Sequence, residues 1–209
     1  MRMTKYTHAC VRLERDGGVL VIDPGTFTEP EALAGADAVL ITHEHADHLD
    51  VEKLTAARAG GQDFTVHTHP SVLPKLSALG DAVHPIHSGE EITVAGFQVR
   101  AFGEWHAVIH PDVPQIANLG FLVEGAIYHP GDSVEPPAGV RVETLLLPIS
   151  APWLKLAEAV EFARAVAPRR AYAIHDHLLS PVGAQIFGRN LANLAGCDYQ
   201  HLPPGSELP

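Results

Sequence analysis

Cysteine is scarce: Cys10 and Cys197 are the only two, too few for a disulfide framework, and their apolar surroundings predict small buried side chains. Nowhere do about 18 uncharged apolar residues run together, so no membrane-spanning helix is expected. The opening segment Met1-Arg2-Met3-Thr4-Lys5 lacks the apolar stretch of an export signal, which predicts a cytoplasmic location. Basic residues are few, 14 against 25 acidic ones, for a formal charge of −11. An acidic surface repels phosphate backbones, and no basic, aromatic-rich extension offers to grip one, so a polynucleotide partner is disfavoured. A bound divalent ion would reverse that sign locally and leaves a small anionic substrate open.

What is present is a chain of 209 residues, 46% hydrophobic and 19% charged, with enough apolar surface for a sizeable core and no composition shift that marks a linker. The economical reading is one domain over residues 1–209. Ala9–Leu13 and Gly18–Asp23 read as strands around the turn Arg15-Asp16-Gly17. A short helix with Thr28 as its cap is expected to follow, then an apolar strand, Ala38–Thr42. Helices are predicted over Asp50–Ala59, Ser71–Leu79, Leu154–Val166 and Pro181–Leu194. Strands are predicted at Phe64–His67, Val83–Ile86, Glu91–Val94, Phe97–Phe102, Leu119–Glu124, Ala126–His129, Thr144–Leu147 and Ala171–Ile174. Around Gly205 the prolines suggest a loose tail. Strand runs with interspersed helices, in two successive halves, predict a layered α/β protein with sheet inside and helices outside.

Against this background 14 histidines stand out. Directly after the strand at Ala38–Thr42 comes His43-Glu44-His45-Ala46-Asp47-His48. Imidazole and carboxylate are the donor set of zinc and neighbouring divalent metals, and an irregular loop can turn them toward common points. Buried without a partner, so many polar rings would be costly.

The segment resembles the metallo-β-lactamase superfamily, whose signature His-x-His-x-Asp-His is matched at His43, His45, Asp47 and His48. The likeness extends along most of the chain. Asp23, in Val21-Ile22-Asp23-Pro24-Gly25, stands where the family has an aspartate supporting the ligands, and Gly131-Asp132-Ser133 resembles its Gly-Asp-Ser/Thr segment. The resemblance implies a four-layer αββα sandwich and two divalent ions, zinc ahead of manganese or iron. It implies His43, His45 and His106 on one ion, Asp47, His48 and His175 on the other, and Asp132 between them. His110 competes with His106 as the third-motif ligand, and His177 competes with His175. The small bacterial branch with ascorbate-6-phosphate lactonase-like proteins is the most similar. Flavodiiron members carry glutamate where this chain has His45, which favours hydrolytic chemistry.

The implied activity is hydrolysis of a small ester, lactone or phosphoester by a metal-bound hydroxide, with Asp47, His110 and His177 as candidate catalytic groups. A non-catalytic metal-binding or ligand-sensing protein of the same fold, or a phosphodiesterase or nuclease, is the alternative. A small molecule is the expected partner, and a homo-oligomer is compatible with the family. Trp153 is expected either to wall the pocket or to pack in the core. Asp176 is expected to orient His175 or His177, and Glu44 and Lys155 to stand in solvent. His67 and His69 read as surface residues. His8, His84, His87 and His201 have no motif companions and read as structural or exposed, and His129 as packed beneath the Gly-Asp turn.

Overall fold

The computed structural model describes residues 1–209 and sets two sheets face to face. The first sheet is built, in spatial order, from β1 (Arg2–Lys5), β2 (Val11–Arg15), β3 (Gly18–Ile22), β4 (Ala38–Ile41), β5 (Thr65–Thr68) and β6 (Val83–Pro85). The second runs from β7 (Glu91–Val94) through β8 (Phe97–Phe102), β9 (Gly120–Val123), β10 (Ile127–His129), β11 (Thr144–Pro148) and β12 (Arg170–Ile174) to β13 (Asp198–Gln200). Each sheet starts with antiparallel hairpins and continues with parallel strands, β3–β4–β5–β6 in one and β10–β11–β12–β13 in the other.

The pleat decides which residues face which layer. Leu20, Ile22, Ala38 and Leu40 meet Phe121, Val123, Leu146, Tyr172 and Ile174 in the core between the sheets. Their neighbours Val21, Val39 and Ile41 point the other way, against Leu54 of α1 (Val51–Ala59) and Leu76. On the second sheet Leu145, Leu147, Ala171 and Ala173 face Phe162 and Ala163 of α2 (Leu156–Val166) and Leu191 of α3 (Pro181–Leu194). Strands buried on both faces become continuous apolar runs, as parallel strands covered by helices do. The result is the αββα sandwich that the resemblance implied.

Helix starts follow ordinary capping chemistry. Asp50 accepts the Lys53 N–H at 2.9 Å to open α1, and Ser180, followed by Pro181, accepts the Gly183 N–H at 3.1 Å to open α3.

Several expectations need correction. The segment Pro30–Leu33 is a single 3-10 turn whose cap position is Glu29, and Thr28 is buried before it. The helix expected over Ser71–Leu79 is 3-10 structure over Pro70–Ala82, with Pro74 inside it and a break at Gly80. Proline removes an amide donor and opposes the continuous α ladder. The strands β1 and β13 were not expected; each is short and joins a sheet edge. The tail is not loose: the Leu208 N–H donates to the Met3 carbonyl at 2.7 Å, the Gly205 N–H to Lys5 at 2.7 Å, and Leu208 enters the central core. Cys10 is buried as expected, whereas Cys197 is only half-buried. No helix is long and apolar enough to cross a membrane.

Candidate metal centre

All the motif residues emerge at one edge of the sandwich, just past the C-terminal ends of strands. Asp23 follows β3, the 43–48 loop follows β4, Asp132 follows β10 and His175 follows β12. Parallel strands ending together leave backbone and side chains free to converge there. Two glycines make the convergence possible. A side chain at Gly25 would collide with the Asp47 carbonyl, and one at Gly131, whose φ is +62°, with Asn118 and Thr42.

The loop and its partners form two abutting groups. His43, His45, His106 and Asp132 make one; Asp47, His48 and His175, together with His8, make the other. In the first group His43 Nε2 lies 3.1 Å from His45 Nδ1, and His106 Nε2 lies 3.2 Å from Asp132 Oδ2. In the second, Asp132 Oδ1 lies 3.0 Å from His48 Nε2, while its Oδ2 lies 3.2 Å from His175 Nε2. His175 Nε2 is also 3.3 Å from Asp47 Oδ2. Asp132 thus touches both groups.

The far sides of the rings are pinned by oxygen acceptors. The Nδ1–H of His48 donates to Asp23 at 2.7 Å, that of His106 to the Ala107 carbonyl at 2.6 Å and that of His175 to the Ser150 carbonyl at 2.6 Å. His43 Nδ1 meets the Thr42 hydroxyl at 3.0 Å, and that hydroxyl donates to Asp23 at 2.7 Å. Each such bond fixes the tautomer and leaves the Nε2 lone pair aimed inward. Asp23, wholly buried, also accepts the Thr42 N–H at 2.8 Å, so one carboxylate steers two rings.

The donor set fits divalent metal. Ligands about 2.1 Å from an ion sit about 3.0–3.4 Å from one another in octahedral or tetrahedral geometry. The separations above match this spacing. His48 Nε2, His175 Nε2 and Asp132 Oδ1 are buried without a hydrogen-bond partner although they stand close together, as atoms aimed at a shared third centre would. Charge is correspondingly concentrated. Burial opposes ionisation of Asp132, yet His48 and His175 hold its carboxyl well below the usual range. Burial likewise works against the His175 cation, and the Asp132 carboxylate outweighs it, raising the ring to about 9. His43, by contrast, is held well below its ordinary value by burial and by the neighbouring His48.

His8 is the residue that the sequence did not reveal. It is fully buried, and its Nε2 lies 3.0 Å from Asp47 Oδ2. Its ring stands 3.9 Å from that of His175, and its carbonyl accepts the His175 N–H at 3.0 Å. The signal was the register: Val11 pairs with Ile22, so the residues before β2 and after β3 share an edge with Asp23. His129, buried as expected, donates to the Ala9 carbonyl at 2.8 Å and accepts the Gly131 N–H at 3.1 Å. Asn118 clamps the same turn through the Pro130 carbonyl at 2.9 Å and the Asp132 N–H at 3.0 Å. The Asp176 carboxylate does not steer His175 or His177 as expected: it pairs with buried Lys5 at 3.0 Å and with His201 at 2.8 Å. His201 therefore has a partner as well.

Trp153 answers both readings made of it. Its Nε1–H donates to Asp132 Oδ2 at 3.0 Å, and its ring walls a cavity of about 330 Å³. The cavity floor is His45, Asp47, His106, Asp132 and His175, and Phe27, Ile109, Pro152 and Leu178 complete the wall. His110 is not brought into the cluster; it is exposed and accepts the Asp112 N–H at 3.1 Å. His177 is exposed too, with its ring 4.9 Å from that of Phe27.

Comparison with known proteins agrees with this geometry. Residues 2–175 match the Beta-lactamase superfamily domain. Protein Rv0786c of Mycobacterium tuberculosis is 37% identical over 100% of this chain and 99% of its own length. A UPF0173 metal-dependent hydrolase of Carboxydothermus hydrogenoformans is 25% identical over 89% of each chain. The structure of Igni18, a metallo hydrolase from Ignicoccus hospitalis, superposes with a TM-score of 0.77 at 19% identity, covering 99% of this chain and 97% of that one. With the motif, the sandwich and the domain match in agreement, the chain belongs to the metallo-β-lactamase superfamily.

Proposed function

We propose that the chain is a metal-dependent hydrolase of small esters, lactones or phosphoesters, with two divalent ions at the sheet edge. In this reading His43, His45 and His106 hold one ion, Asp47, His48 and His175 the other, and Asp132 both. The observation that carries it is Asp132, which lies within 3.2 Å of His106, His48 and His175 at the floor of an open cavity. Bound ions would supply a water with its pKa brought down to about 7 and Lewis-acid contacts to a substrate oxygen.

The remaining work falls to the protein. Asp47 is half-exposed at the cavity floor, and the His175 and His8 hydrogen bonds, against the pull of burial, keep it ionised. It is placed to accept a proton and return it to a leaving oxygen. Trp153 holds Asp132 in orientation from the cavity side. His177, exposed beside Phe27, is the residue we assign to meet a departing group, and His110, turned to Asp112, takes no part. The imidazole-rich set suits zinc, with manganese or iron following supply.

Metal analysis of purified protein should find close to two divalent ions per chain. Asp132→Ala should lose at least one of them together with chelator-sensitive hydrolysis of p-nitrophenyl esters or bis-p-nitrophenyl phosphate. Full activity in metal-free protein would rule this reading out.

A further inference from the structure

We infer that the substrate is an uncharged ester or lactone bearing an apolar arm, received by a sleeve of Phe27, Ile109, Trp153 and Leu178. This narrows the hydrolase reading and rests on it.

The cavity that opens over the centre has a polar floor and an apolar wall. Above Asp47 and Asp132 stand Phe27, Ile109, Pro152, Trp153 and Leu178, and no lysine, arginine, asparagine or glutamine side chain lines the space. Three of these residues are exposed although large and apolar: Phe27 at 41%, Ile109 at 38% and Leu178 at 52%. They come from three distant stretches of chain, so their meeting at one mouth is a product of the fold. Apolar side chains gathered round a polar floor are the ordinary construction of a small-molecule site.

Charge points the same way. Sites that select phosphate monoesters or carboxylates supply arginine or lysine for charge-assisted bonds. Here the lysines that the sequence might offer are occupied elsewhere. Lys53 donates to the carbonyls of Gly25 and Thr28, Lys75 pairs with Glu44 at 3.4 Å, and Lys155 stands 3.8 Å from Glu158. The chain as a whole carries −11. An anionic substrate would find no lysine or arginine beside the ions, whereas a neutral carbonyl compound needs none. Its arm would displace water from Phe27, Ile109 and Leu178, and each methylene covered adds affinity.

The test uses zinc-loaded protein and two measurements. Hydrolysis of p-nitrophenyl acetate, butyrate and hexanoate should show kcat/KM rising about two- to fourfold per added methylene, the gain expected for partial to full burial. Independently of turnover, tryptophan fluorescence should report binding of acetamide, butanamide and hexanamide with Kd tightening by a similar factor per methylene. Leu178→Lys and Phe27→Asp, both at exposed positions, should flatten the two series. A flat series, or p-nitrophenyl phosphate preferred to the hexanoate, overturns the inference while leaving the hydrolase reading intact; a rim buried between two copies would give that flat result. Graded amide binding without hydrolysis of any ester keeps the apolar sleeve and removes the hydrolase reading. Absence of both removes the two together.

Discussion

Asp23 accepts the Nδ1–H of His48 at 2.7 Å with both side chains wholly out of solvent, across 25 residues of sequence. The same carboxylate receives the Thr42 hydroxyl, which in turn meets His43, so one buried anion sets the orientation of a ring in each of the two donor groups. Supporting bonds of this kind are worth about 10–100-fold in metal affinity. Asp23→Asn should therefore weaken zinc binding by about that factor, measured by competition with a chromophoric chelator. Undiminished affinity would mean that the rings are oriented by packing alone.

His8 tests the second group separately. Its bond to Asp47 and its contact with the His175 ring touch the Asp47, His48 and His175 set and not the His43 set. Burial lowers the His8 pKa to about 4, so the ring is neutral at pH 7 and donates through Nε2. Titrating His8→Ala with zinc should give one site near wild-type affinity and one weakened about tenfold or more. Equal weakening of both sites, or of neither, would contradict the division.

Leu208 ties the tail to the central core, 5% exposed and bonded through its backbone to Met3. Leu208→Ala should cost about 2 kcal/mol, the low end for a buried leucine because a terminal segment can settle into the space. Urea unfolding of metal-free protein measures it, and a change near zero would show the tail to be a surface decoration.

His67 sits at a sheet position beside His84, with ring centroids 5.1 Å apart. Burial, helped by the His84 charge, lowers its pKa from 6.5 to about 4. Between those values the unfolded chain binds a proton that the folded chain refuses, so stability falls as pH drops from 6.5 toward 4. Above 6.5 the contribution is fully present. His67→Gln should lose less stability than the parent over this window, read as the difference in urea midpoint. Parallel curves would indicate that His67 protonates freely in the folded state.

The layers, and the cluster of metal-type donors at residues 43–48, were legible in the chain alone. Uninterrupted apolar runs such as Leu20-Val21-Ile22 and Val39-Leu40-Ile41 supply buried residues to two opposite faces, which a sheet covered on both sides satisfies. The spacing of His43, His45, Asp47 and His48 likewise announced its chemistry, because few other uses bring such donors together after a buried strand. Which isolated residues join them depends on strand pairing and loop placement. His8 has no motif around it and reaches Asp47 through strand pairing; Phe27, Ile109 and Leu178 share a cavity wall through loop placement. The tertiary structure also separated His106 from His110, since a loop's direction depends on what it packs against rather than on its own composition. The tail shows the same limit: its prolines and glycine suggest looseness locally, and the vacant edge of β1 and the core space filled by Leu208 hold it down.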